Sequence, residues 1–135
     1  MAYGQLLTFN ISDILVKEHA LKMVEGEWGF VIIWEFFVRA GSERRFEQVY
    51  GPEGEWAKFF KAGSGFVKTD LNRDFKVPRR YVTLDFWSSH DVYTRFREAN
   101  LAAYKAIDQR CEALTESETE LGSFERISGT EKVRA

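Results

Sequence analysis

The amino-acid sequence predicts an α+β fold of ferredoxin-like type, βαββαβ, with a four-stranded antiparallel sheet and a helical extension at its N-terminus. Three observations carry this prediction. Phe30–Val38 is almost continuously apolar and β-branched, the pattern of a strand in the middle of a sheet. Residues 66–72 alternate in polarity and Arg80–Trp87 is a further strand-like run beyond a polar loop containing Pro78, so the two read as a hairpin. Helical spacing fills the intervals on either side, giving the order strand, helix, strand, strand, helix, strand.

Each element has a local reason. In the extension, residues 1–28, Ser12 is placed to cap a helix over 13–24, with Ile14, Leu21 and Val24 on one stripe and Gly26 as its stop. After the first strand, Ser42 stands where an N-cap belongs, and Phe46, Val49 and Tyr50 recur at helical spacing. Gly51-Pro52-Glu53-Gly54 interrupts that helix, because proline has no amide to donate and disfavours helix in the residue before it. Trp56, Phe59 and Phe60 resume the spacing, so two short segments with a corner are expected, ending at Ala62-Gly63-Ser64-Gly65. Ser88 or Ser89 then caps one long helix over 91–113, with Val92, Phe96, Leu101, Tyr104, Ile107, Cys111 and Leu114 as its apolar stripe. Thr115 and Glu118 have capping-box spacing, and 121–127 is expected as a short last strand.

A chain of 135 residues can enclose one core without disulfides or a structural metal, here over 29–127, with 1–28 as extension and 128–135 as tail. Apolar residues make up 44% of it, with twelve Phe and four Trp, which excludes disorder and predicts an aromatic core. A net charge of −2 with both signs interspersed offers no field for nucleic acid or anionic lipid, so neither is expected as a partner. The single Cys111 has no zinc-like companions, and no metal or cofactor is expected. The first seven residues show no basic-then-apolar leader pattern and no run suits a membrane helix, which points to the cytoplasm.

Strand periodicity sends Phe30, Ile32, Trp34, Phe36 and Val38 to one face and Val31, Ile33, Glu35 and Phe37 to the other. Both faces are apolar, yet two helices cover only one face of a four-stranded sheet. A second copy packed sheet to sheet is the economical cover, so a homodimer is expected. Trp34 is expected as a core residue whose truncation to Ala costs about 3 to 5 kcal/mol.

Five segments carry a resemblance: Trp34-Glu35-Phe36-Phe37-Val38, the corner Tyr50-Gly51-Pro52-Glu53-Gly54-Glu55-Trp56, residues 69–74, Arg80-Tyr81-Val82-Thr83-Leu84-Asp85-Phe86-Trp87-Ser88, and residues 112–125. Through them the chain resembles the antibiotic biosynthesis monooxygenase-like superfamily over about 29–127, leaving the first 28 residues unmatched. The resemblance implies a dimeric α+β barrel with a pocket in each subunit between sheet and helices. It also implies cofactor-free oxygenation of polycyclic aromatic compounds, or haem degradation, as activities found among members. The haem-degrading pattern of an asparagine on the first strand, a tryptophan and a histidine on the second long helix is not matched. Trp87 is available, but the first strand has no asparagine and His90 follows Trp87 by only three residues.

Glu35 and Asp85 are the polar interruptions of two apolar strands, which this reading sets side by side and parallel. Two carboxylates close together in a low dielectric would raise the proton affinity of one, giving a general base for a phenolic proton. Pairing with Arg39, Arg73, Arg80 or Arg126 is the structural alternative. His90, of the residue type suited to proton transfer, sits close to Trp87 at a helix entrance, a position open to such a role or to a plain surface one. Tyr50, Trp56, Trp87 and Tyr104, with Phe59 and Phe60, offer walls for a flat ligand or simply a packed core. Two functions follow: a small-molecule-binding dimer acting as a cofactor-independent monooxygenase on an aromatic or polyketide-like substrate, or a non-enzymatic ligand-binding or accessory dimer. A cavity between sheet and helices separates them.

Overall fold

The computed structural model of the chain describes residues 28–127; the expected helix at 13–24 and the tail at 128–135 lie outside the described residues. Strands β1 (Phe30–Val38), β2 (Phe66–Arg73), β3 (Arg80–Trp87) and β4 (Thr115–Glu125) form one sheet in the order β2-β3-β1-β4, every neighbouring pair antiparallel. Helices α1 (Glu43–Tyr50), α2 (Glu55–Lys61), α3 (His90–Ala99) and α4 (Leu101–Cys111), with a 3-10 turn at Glu112–Leu114, complete the ferredoxin-like α+β architecture. The inward row of β1, Phe30, Ile32, Phe36 and Val38, packs with Phe46, Tyr50, Trp56, Phe60, Trp87 and Phe96 as the core. No helix among the described residues is long and apolar enough to cross a membrane.

The corner between α1 and α2 is held by backbone bonds from Gly51 N to Glu47 O at 3.0 Å and from Gly54 N to Gly51 O at 2.9 Å. A Cβ on Gly54 would lie 2.3 Å from the Val49 carbonyl oxygen, so this close approach admits only glycine. The corner turns the aromatic face of α2 back over the sheet, which brings Trp56 above β1 and β3.

Three expectations are corrected. The single helix over 91–113 is two helices, because Asn100 leaves helical geometry (φ −122°, ψ 27°) and its Nδ2 donates to Phe96 O at 2.9 Å. An asparagine side chain that satisfies a helix-end carbonyl stabilises a stop in mid-pattern. The capping box at Thr115 and Glu118 does not form: residues 115–125 are all strand, paired along the length of β1 with register shifts near Ile33/Trp34 and Phe37/Val38. Propensity marked this stretch as turn-like, but the unpaired edge of β1 supplies backbone partners that override it. Finally, β1 and β3 are antiparallel rather than parallel neighbours.

On the face away from the helices, Val31, Ile33, Glu35 and Phe37 stand opposite Phe86, Leu84, Val82 and Arg80 of β3. Trp28 meets the Phe86 ring edge-on at 5.0 Å.

Candidate functional site

Register decides which polar residues share a face. Asp85 stands opposite Ile32 on β1 and Thr69 on β2, whereas Glu35 stands opposite Val82. Cross-strand partners share a face and successive residues alternate, so Asp85 points toward the helices and Glu35 away from them. The expected carboxylate pair is therefore corrected: the two acids lie on opposite sides of the sheet. Glu35 Oε2 accepts from Arg80 Nε at 2.7 Å, and Arg80 Nη1 donates to Asp74 Oδ2 at 2.7 Å, a chain of ion pairs in which Glu35 is structurally engaged.

Asp85 has a different environment. It is 8% exposed, and among the described residues its one hydrogen-bond partner is the Thr69 hydroxyl, donating to Oδ1 at 2.6 Å. Burial raises its pKa to about 6, the Thr69 hydrogen bond opposing that rise. The group borders a cavity of about 40 Å³ between the sheet and the helices. From the sheet, Trp34, Phe36, Thr69 and Thr83 line it beside Asp85; from the helices come Tyr50, Trp56, Phe60, Tyr104 and Asp108; Glu118 of β4 closes the set. That volume holds a few water molecules. A ring-sized ligand must displace part of the wall, and Trp34 and Tyr104 are the large rings there that are only half-buried.

Burial also drives the phenols of Tyr50 and Tyr104 well above their ordinary range, leaving them as hydrogen-bond donors at neutral pH. The Trp56 indole N–H is buried beside the Tyr50 hydroxyl and the Cys111 thiol, and it meets no acceptor at hydrogen-bonding geometry. Burial, then Asp108 and Glu112, raise the Glu118 pKa as well. A second opening adjoins the cavity and shares Tyr50, Asp108 and Glu118 with it.

Of the residues predicted for the site, the structure brings Asp85, Tyr50, Trp56 and Tyr104 together at this cavity. Trp87 is not among its lining: it is fully buried in the core, with Phe60, Phe66, Tyr93 and Phe96 around its ring. His90 is exposed at the first position of α3, edge-on to Phe30 at 5.0 Å, and lines a surface groove with Ser88, Ser89 and Phe124. Sequence reasoning missed Thr69, Thr83, Asp108 and Glu118. Thr69 was hidden by a register shift between Phe66 and Lys68 that breaks strict alternation along β2. Among the described residues no group of acids, histidines and cysteine is arranged to hold a metal ion.

No protein-family model matches the chain, and no curated protein matches its sequence. Solved structures do match. A variant of SnoaB, a cofactor-independent oxygenase from Streptomyces nogalater, is 25% identical with a TM-score of 0.59, covering 73% of this chain and 93% of that one. MhuD, a haem-degrader from Mycobacterium tuberculosis solved with two haems in its active site, is 22% identical with a TM-score of 0.52, covering 73% and 96%. A protein of antibiotic biosynthesis monooxygenase type from Bordetella bronchiseptica is 21% identical with a TM-score of 0.53, covering 74% and 99%.

Proposed function

Because the chain belongs to the antibiotic biosynthesis monooxygenase-like superfamily, we propose that it is a small-molecule-binding homodimer that oxygenates an aromatic, polyketide-like substrate without a cofactor. The observation that carries this reading is Asp85: a buried carboxyl with a raised pKa, one hydroxyl partner and an aromatic-walled cavity before it. SnoaB, similar in fold, is a cofactor-independent oxygenase, which supports the same reaction class here.

In this mechanism Asp85 accepts the proton of a phenol or enol, and the resulting carbanion transfers an electron to dioxygen. The two radicals combine as a hydroperoxide on carbon. Loss of water then leaves a ketone, so one oxygen atom enters the product and the other leaves as water. The oxidised carbon, a CH₂ in the keto form of the substrate, loses two hydrogens and supplies all four electrons that dioxygen takes up, so no external reductant is consumed. Apolar walls raise the proton affinity of the Asp85 carboxylate, which drives proton transfer from the substrate, and exclude water that would quench the carbanion. Haem degradation has less support, since Trp87 lies in the core and His90 lies on a separate groove.

Oxygen uptake with a panel of hydroquinones and anthrones tests the proposal. Asp85→Asn is expected to lower kcat/KM by about 100-fold or more, the usual scale of a lost general base. Glu35→Gln, on the opposite face, is expected to retain activity. No uptake with any panel member, or equal rates in wild type and Asp85→Asn, would leave the non-enzymatic ligand-binding or accessory dimer as the better account.

A further inference from the structure

Several carboxylates of this protein are matched by arginines. Glu35, Glu47, Glu55, Asp74 and Glu116 each pair with an arginine. Among the described residues, the three acids bordering the cavity, Asp85, Asp108 and Glu118, form no ion pair, and no lysine or arginine lines the cavity. Asp85 is buried, Asp108 is half-buried and Glu118 is exposed, and among the described residues no cation stands at the cavity to balance them. Two cations of the described residues stand outside its lining: Arg97 lies over the Tyr104 ring at 4.9 Å, and Arg39 belongs to the adjoining opening, where Glu112 and Glu116 outnumber it.

The walls have the complementary property. Trp34, Trp56, Tyr50 and Tyr104 present aromatic surfaces, whose negative faces attract cations most strongly where water is excluded. A second, independent feature points to a ligand as well. The Trp56 N–H, on a residue only 7% exposed, lies beside the Tyr50 hydroxyl and the Cys111 thiol and, among the described residues, meets no acceptor at hydrogen-bonding geometry.

We propose that this cavity is built for a ligand that brings its own positive charge, a flat apolar molecule carrying a protonated amine, with an oxygen on the same ligand accepting from the Trp56 N–H. The proposal rests on the small-molecule reading of the site and names the substrate class for it. The amine sits among the aromatic faces and the three carboxylates, neutralising charge that otherwise stays unbalanced. A carboxylate or phosphate ligand meets only like charge and is rejected.

Titration calorimetry on the full-length protein at neutral pH and low salt tests this with naphthylmethylamine, naphthylmethanol and naphthoate, three probes of one ring system that differ in charge. The amine is expected to bind roughly 10-fold tighter than the alcohol and on the order of 100-fold tighter than the carboxylate. In Asp108→Asn and Glu118→Gln, both at accessible positions, the preference for amine over alcohol is expected to shrink to roughly 3-fold or less in the double variant. An alcohol or carboxylate that binds as tightly as the amine overturns the proposal while leaving the cavity a small-molecule site. An amine preference unchanged in the double variant overturns the role given to these acids. Absence of binding by all three probes overturns it together with the small-molecule reading.

Discussion

A carboxyl enclosed by ring edges and held by one threonine hydroxyl releases its proton reluctantly, and Asp85 shows this with a pKa raised from 3.8 to about 6. The folded state thus favours the protonated form. Its contribution to stability is full below about pH 4 and is lost as pH rises through about 6, on the order of 3 kcal/mol in all. Asp85→Asn abolishes that titration, so the unfolding free energy of the variant should gain on wild type across this window, as read by urea melts on either side of it. Asp85 was legible in the sequence as a polar break in an apolar strand; its separation from Glu35 was not, because that depends on cross-strand register. The tryptophans divide in the same way. Trp87 is fully buried, so Trp87→Ala is expected to cost about 3 to 5 kcal/mol. Trp34, expected from periodicity to be core, is only half-buried at the cavity, and Trp34→Ala should cost clearly less than Trp87→Ala in the same denaturant melts.

Helix caps show how far local pattern reaches. Ser89 Oγ accepts from Val92 N at 3.1 Å at the start of α3, whereas Ser42 makes no side-chain cap and Gly41 N donates instead to Glu43 Oε1 at 2.7 Å. Ser89→Ala is therefore expected to destabilise by about 1 kcal/mol and Ser42→Ala by less than about 0.5 kcal/mol, measured by chemical denaturation. The same residue type in the same position performs different work, and only coordinates distinguish them. Apolar periodicity located β1, β3 and the two-part helix at the Gly51-Pro52 corner, because each is decided by its own residues. It failed at the Asn100 break, where one side-chain hydrogen bond outweighs a continuous stripe, and at β4, where pairing with β1 outweighs an acidic, turn-like composition. That acidic strand at the sheet edge also discourages uncontrolled pairing with other chains.

At the scale of the molecule, the face away from the helices carries Ile33, Val82 and Leu84, all half-buried, beside Val31 and Phe86, which are buried within the chain itself. This supports the proposed dimer, and sedimentation at micromolar concentration is expected to give twice the chain mass; Leu84→Glu, which puts charge in the middle of this face, should return single chains. The sequence disclosed this surplus of apolar surface through strand alternation alone, although it could not disclose the cavity, which depends on how α2 and α4 meet the sheet. The joint at Asn100 bears on that meeting. Tyr104 and Asp108 ride on a short rod, α4, whose inward anchors are Ile107 and Cys111, and the rod is not continuous with α3. The cavity therefore has a roof and a floor of separate origin: Tyr104 and Asp108 come from a rod that begins anew after Asn100, whereas Asp85 is fixed by the hydrogen-bonded strands on either side of it.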